Sequence, residues 1–175
     1  MDERLELVRS RIADVPDFPK PGILFKDITP VMTSPAAYRA TIDLFAERYS
    51  VVRPDLFVAI ESRGFLFGGP LALELGVPLQ LVRKAGKLPR ATIEETYALE
   101  YGHSTLQVHR DEIPKGARVV ILDDLLATGG TALAAARLVE RQGGEVAEFG
   151  FLIELLALGG RAKIVPYSCH AVLSI

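Results

Sequence analysis

The run from Arg118 to Thr131, Arg-Val-Val-Ile-Leu-Asp-Asp-Leu-Leu-Ala-Thr-Gly-Gly-Thr, constrains the fold more than any other stretch. Val119 to Leu122 are apolar without alternation, the pattern of a strand buried on both faces. Asp123 and Asp124 stand where that strand should end. A short turn from Leu125 to Gly130 leads into Thr131-Ala-Leu-Ala-Ala-Ala-Arg-Leu-Val-Glu, a strong helix former. Polar chemistry therefore sits between the carboxyl end of a strand and the amino end of a helix. In open α/β sheets, ligands bind at that place.

The residue types narrow the ligand. Thr128, Gly129, Gly130 and Thr131 can turn several backbone N–H groups toward one point, and the glycines admit close approach. The helix dipole adds positive potential there. With two threonine hydroxyls this makes a phosphate cradle. The two aspartates would repel that phosphate, so they suit a vicinal diol or a metal instead. Strand neighbours point to opposite faces, so both can serve one ligand only if the strand bends after Leu122. An aspartate here could also simply cap the helix. Four apolar residues before Asp-Asp also suggest a Walker B strand, but no Gly-x-x-x-x-Gly-Lys-Ser/Thr loop accompanies it. A Gly-x-Gly-x-x-Gly dinucleotide fingerprint is likewise missing from the sequence.

Two further segments follow the same strand-then-polar plan. Leu56 to Ile60 predicts a buried strand, Glu61-Ser-Arg-Gly64 its exit turn, and Phe65 to Leu75 a largely apolar helix. Arg63 at a helix start opposes the dipole, which favours a ligand role. Pro78 to Val82 predicts a third strand ending in Arg83-Lys84. With Arg63, this pair makes a candidate second anion site, although a solvated basic pair is the simpler reading of either residue alone.

The remaining segments frame that edge. Leu5, Val8 and Ile12 give residues 2–14 an amphipathic helical spacing, and Pro16, Pro19 and Pro21 impose an extended passage. Gly22 to Pro30 is too apolar for an ordinary loop. It either plugs the sheet edge or walls a pocket in which Phe25 could stack on a flat heterocycle. Ser34-Pro35 starts a helix with Tyr38, Ile42, Phe45 and Tyr49 as its buried stripe. Residues 85–101 lack a clear period, and a structureless connection of that length suggests a lid. His103 to Asp111 predicts a strand with Leu106 and Val108 inward and His103 and His109 on a wet face. Strands are also predicted over Val146–Leu156 and Ser168–Ile175, with Gly159–Lys163 a turn or short helix between them. Glu154, odd in its apolar run, either lies exposed at a strand end or pairs with a cation.

Length and composition fit one α/β domain: 175 residues, 49% hydrophobic, few aromatics. A net charge of −2 gives no reason to expect nucleic acid or an anionic membrane as partner. The single cysteine, Cys169, allows no intrachain disulfide and fits a reducing compartment. The amino terminus does not read as a signal peptide, and no apolar run is long enough to span a bilayer. A soluble cytoplasmic protein is the expectation.

Val119 to Thr131 resembles the phosphoribosyl-diphosphate (PRPP) motif of type I phosphoribosyltransferases. Its wording is similar to that of the adenine phosphoribosyltransferases. Phe18-Pro-Lys-Pro-Gly-Ile-Leu-Phe-Lys-Asp-Ile28 resembles the base-recognition hood of the same branch. Gly86-Lys-Leu-Pro89 and Tyr97-Ala-Leu-Glu-Tyr-Gly102 resemble its catalytic loop. The resemblance implies an α/β fold with a central, mainly parallel sheet, a hood at residues 15–33, a flap at 85–101 and the PRPP motif at 119–131. It implies that Asp123 and Asp124 hold the ribose diol and that Ala127, Thr128, Gly129, Gly130 and Thr131 hold the 5′-phosphate. Arg63, Arg83, Lys84 and Lys87 are then the PRPP-binding cations, although the family commonly has a further basic residue where Ala85 stands. Leu24, Phe25 and Lys26 contact the base, largely through backbone atoms, with Phe151 to Arg161 beside them. Glu100 and Tyr101 close on the reacting centre. The peptide between Glu61 and Ser62 is implied to be cis. Mg²⁺ is implied, held mainly by substrate oxygens rather than by protein ligands, and so is a homodimer. The implied reaction converts adenine and PRPP to AMP and diphosphate. A transferase for another purine base and a non-catalytic PRPP-sensing regulator are the alternatives. The regulator is disfavoured by the lack of a nucleic-acid domain or basic face.

Overall fold

The computed structural model describes residues 2–98 and 102–175. A seven-stranded sheet runs through it in the order β5-β6-β4-β3-β7-β8-β9. Its strands are β3 (Leu56–Ile60), β4 (Leu79–Lys84), β5 (Thr92–Ala98), β6 (His103–His109), β7 (Arg118–Leu126), β8 (Glu145–Glu154) and β9 (Cys169–Ser174). From β4 through β3, β7 and β8 to β9 the pairing is parallel, whereas β5 and β6 join antiparallel beyond β4. β1 (Ala13–Pro16) and β2 (Leu24–Asp27) form a separate antiparallel pair.

The two faces of the sheet carry different cores. On one, Val58, Ile60, Val119, Ile121, Phe149 and Phe151 pack under the alanine-rich helix α5 (Gly130–Arg141). On the other, Phe57, Val120, Leu122 and Leu152 pack against Phe45 and Tyr49 of α3 (Pro35–Val52) and Phe67 and Leu71 of α4 (Gly64–Leu75). Alternation of β3 and β7 between these cores explains their unbroken apolar sequence: both faces are buried. After the short helix α2 (Thr29–Met32), Ser34 caps α3 and Pro35 opens it, as the sequence indicates. Gly76 closes α4 in the left-handed region, which glycine enters without Cβ strain.

Four local expectations change. The first helix, α1 (Glu3–Arg9), stops well before residue 14, because Ala13–Pro16 instead pairs with β2. Residues 92–98 are not structureless but form edge strand β5, paired with β6 along its length. The inward positions of β5 are Ile93, Glu95 and Tyr97, and the carboxylate among them hides the alternation. Glu95 is satisfied there by Arg137 (3.0 Å) and Arg141 (3.4 Å) of α5. His109 is not on a wet face but only 8% exposed. Finally, β7 does not end at Leu122 but runs on through both aspartates to Leu126. Glu154 takes the paired option, held by Arg161 through two hydrogen bonds of 2.8 and 2.5 Å.

Candidate active site

β3 accompanies β7 only as far as Leu122, which lies opposite Ala59. Asp123 to Leu126 therefore outrun their neighbour and border an open cleft of about 560 Å³ at the carboxyl edge of the sheet. Along β7, Val119 and Ile121 belong to the α5 core and Val120 and Leu122 to the α3–α4 core. Beyond the aspartates the phase reverses: Leu125 packs on the α3–α4 side and Leu126 on the α5 side. The strand continues, but its side-chain alternation slips by one residue across Asp123–Asp124. That slip meets the requirement raised by the sequence, since both aspartates line the same cleft.

The pair is electrostatically costly. Asp124 is 4% exposed, and its N–H donates to Asp123 Oδ1 at 2.8 Å. Burial raises both carboxyl pKa values above the ordinary range, and the charge of Asp124 pushes Asp123 further up. Arg63 counters this, its Nε lying 2.8 Å from Asp124 Oδ2. Arg63 stands at the N-cap of α4 without a capping hydrogen bond. Gly64 lets α4 approach closely: a Cβ there would meet the Leu122 carbonyl oxygen at 2.6 Å. The guanidinium also lies over the Phe25 ring, 5.8 Å from its centroid, which joins β2 to the cleft.

The cradle follows from β7. Gly129 adopts φ 81° before α5 begins, and a Cβ there would lie 2.7 Å from the Gly160 carbonyl oxygen. Only glycine fits that turn. Ala127, Thr128, Gly129, Gly130 and Thr131 all line the cleft, with the start of α5 facing it. Arg63, Lys84 and Glu61 line it too, so the turn before α5, three carboxylates and two cations share one cavity.

Other candidate residues lie differently. Arg83 does not line the cleft; it pairs with Glu61 at 3.1 Å and donates to the Lys87 carbonyl. Glu61 also accepts from the Lys84 N–H at 2.9 Å, so Arg83 braces the turn that carries Arg63. In the alternation of β4, Arg83 faces away from Lys84. Lys87 is exposed and outside the cleft lining. On β2, Leu24 is half exposed and the Lys26 ammonium is bound to Asp14 at 2.6 Å. Phe25 packs edge-on against Phe18, centroids 5.1 Å apart. Glu100 and Tyr101 lie outside the described residues. The peptide joining Glu61 to Ser62 is cis. Sequence reasoning missed Ser62, Tyr97 and Ser104 as cleft residues; the inward register of β5 was the signal for Tyr97.

Comparison with known proteins agrees with this geometry. A phosphoribosyl transferase domain model matches residues 29–172. An adenine phosphoribosyltransferase of Photorhabdus laumondii is 54% identical over 162 residues, covering 93% of this chain and 88% of its own. The chain belongs to the adenine phosphoribosyltransferase family. Among solved members of that family, the Thermoanaerobacter pseudethanolicus enzyme superposes with a TM-score of 0.95 at 48% identity, covering 98% of this chain and 99% of its own. The Saccharomyces cerevisiae adenine phosphoribosyltransferase, at 40% identity and a TM-score of 0.93, covers 99% of this chain and 100% of its own. It was solved with an imino-altritol bisphosphate and adenine.

Proposed function

We infer that this protein transfers the phosphoribosyl group of PRPP to adenine, giving AMP and diphosphate. One observation carries the reading: the phosphate cradle, Asp123, Asp124 and Arg63 border a single cleft at the sheet edge. PRPP presents the complementary groups, a 5′-phosphate, a 2′,3′-diol and a 1′-diphosphate. In this reading Ala127 to Thr131 hold the 5′-phosphate, and the aspartates accept from the sugar hydroxyls. A base nitrogen attacks the anomeric carbon while its bond to diphosphate breaks. Positive charge develops on the sugar as negative charge grows on the leaving group, so Arg63 and Lys84 act where charge increases. Lys87 is retained as a diphosphate contact made when the loop after β4 moves inward. Arg83 is reassigned to bracing Glu61. Residues 15–33 serve as the hood, where Phe25 and the β2 backbone hold adenine with Leu24 and Lys26. The flap expected over residues 85–101 is then the chain on either side of β5, which itself stays in the sheet, and its Glu100 and Tyr101 close on the reacting centre; Glu100 handles a proton or steadies positive charge near the base.

The reading includes Mg²⁺. Among the described residues no group of three or more His, Cys, Asp or Glu side chains could hold a metal ion. Two carboxylates, one of them tied to Arg63, fit an ion that takes most of its oxygens from substrate and water. When bound, Mg²⁺ supplies charge neutralisation to the diphosphate. A homodimer is also proposed. Leu66, Pro70 and Leu73 share one face of α4, where Leu73 is 87% exposed. A second copy is the occupant proposed for that face, beside the groove in which Arg39 and Glu74 pair with each other at 3.1 Å. No described helix is long and apolar enough to cross a membrane. Phosphorylated substrate and product do not cross bilayers unaided, so a cytoplasmic site of action is proposed.

Incubation with PRPP, Mg²⁺ and each purine base separately, read by nucleotide chromatography, tests the assignment. AMP formation from adenine alone is expected. Turnover of hypoxanthine, guanine or xanthine in its place would move the assignment to another base. PRPP binding without any turnover would identify a regulator.

A further inference from the structure

Thr131 has a hydroxyl that must serve two neighbours. In this structure its Oγ1–H donates to the Tyr97 hydroxyl at 3.1 Å, and among the described residues neither oxygen has another hydrogen-bond partner. Thr131 also lines the cradle at the start of α5. A hydroxyl carries one hydrogen and two acceptor sites. Thr131 therefore cannot donate to Tyr97 and to a bound phosphate at once. The conflict disappears if Tyr97 donates to Thr131, because the Thr131 hydrogen then turns toward the anion. Two O–H groups in series polarise each other and strengthen the terminal bond.

The surroundings keep Tyr97 in place for this. Its ring covers Gly130, whose Cβ position is 3.6 Å from the ring edge. Elsewhere on β5, Glu95 pairs with Arg137 and Arg141 of α5, and Arg141 donates to the Glu94 carbonyl at 2.6 Å. Strand and helix are thus fastened at points remote from the hydroxyl. Loss of that hydroxyl alone leaves the fastening intact.

We propose that Tyr97 is a positioning residue of the 5′-phosphate site: when phosphate binds, the bond reverses, Tyr97 donates to Thr131 Oγ1, and the Thr131 hydroxyl hydrogen turns to the phosphate. The proposal rests on the PRPP reading above, and it adds a residue of the antiparallel hairpin to a cradle otherwise built from β7 and α5. Because the relay ends at one phosphate, it predicts selectivity. The 5′ end of the substrate depends on it, whereas the 1′-diphosphate end does not.

The test measures dissociation constants of ribose 5-phosphate and of inorganic diphosphate separately, with Mg²⁺, for the unaltered protein and for Tyr97→Phe, Thr131→Val and the double variant. Tyr97→Phe keeps the ring over Gly130. It is expected to weaken ribose 5-phosphate by about three- to tenfold, the range of one neutral hydrogen bond, and to leave diphosphate unchanged. KM for PRPP rises correspondingly and kcat changes little. In the Thr131→Val background the Tyr97→Phe effect vanishes, a coupling that a packing role would not produce. The proposal is overturned if Tyr97→Phe leaves ribose 5-phosphate affinity intact, weakens diphosphate equally, or costs the same with and without the Thr131 hydroxyl. Turnover of adenine by the unaltered protein alongside any of these results confines the failure to Tyr97. Lack of ribose 5-phosphate binding by the unaltered protein overturns the proposal together with the PRPP reading.

Discussion

At Asp123 function and stability pull in opposite directions. Burial and the adjacent Asp124 raise its pKa well above the ordinary carboxylate value, so keeping it ionised costs free energy in the folded chain. Asp123→Asn removes that cost. Below the unfolded pKa of about 3.9 the aspartate is protonated in both states and the substitution is near neutral. As pH rises toward the elevated folded pKa, the unsubstituted protein loses stability and the variant does not. Thermal melts across pH are therefore expected to show a gain for Asp123→Asn that grows with pH, about 2–4 °C for each kcal/mol in a chain of this size. Activity moves the other way. Loss of a charged acceptor for a sugar hydroxyl lowers kcat/KM for PRPP by roughly ten- to a hundredfold. An unchanged KM for PRPP with normal kcat would refute the diol assignment. Arg63 shows the same economy: one guanidinium offsets Asp124, reaches the cleft and covers Phe25.

The turn between β7 and α5 shows how one element end is tuned by another far along the chain. Gly129 is required for its φ of 81° and because the Gly160 carbonyl lies where a side chain would go. Gly129→Ala is expected to cost about 1–3 kcal/mol in denaturant unfolding, and to raise KM for PRPP more than KM for adenine. Equal effects on both Michaelis constants would mean the turn acts only through global stability. The Gly-Gly pair is readable in sequence, but its neighbour across space is not. Similarly, β5 escaped sequence reasoning because its inner face contains Glu95, acceptable only where Arg137 and Arg141 reach it from α5. Arg83 and Lys84 are consecutive cations with equal claim to a ligand until β4 turns one toward the cleft and the other toward Glu61.

For the whole molecule, the proposed assembly face lies on α4. A helix whose one face packs Phe67 and Leu71 into the core while its other shows Leu66 and Leu73 to solvent has surface to spare. In the proposed homodimer that surface is covered. Leu73→Glu is expected to convert the dimer to a monomer in sedimentation at micromolar concentration, while changing the monomer's own stability by less than about 0.5 kcal/mol. A dimer that survives the substitution, or a monomeric unaltered protein, would rule out this face.

Near neighbours in the chain were enough to announce the strand–Asp-Asp–turn–helix unit, the Ser34-Pro35 helix start, the buried strands and the glycine turn before α5. Each depends on local backbone preference or on apolar runs that any buried strand must have. Distant pairings set the rest. The early end of β3 opens the cleft, the phase slip of β7 brings both aspartates into it, and the ties of β5 to α5 hold Tyr97 beside Thr131. Those features arise where separate strands and helices meet, and side-chain periodicity along one segment contains no record of its partner's length or register.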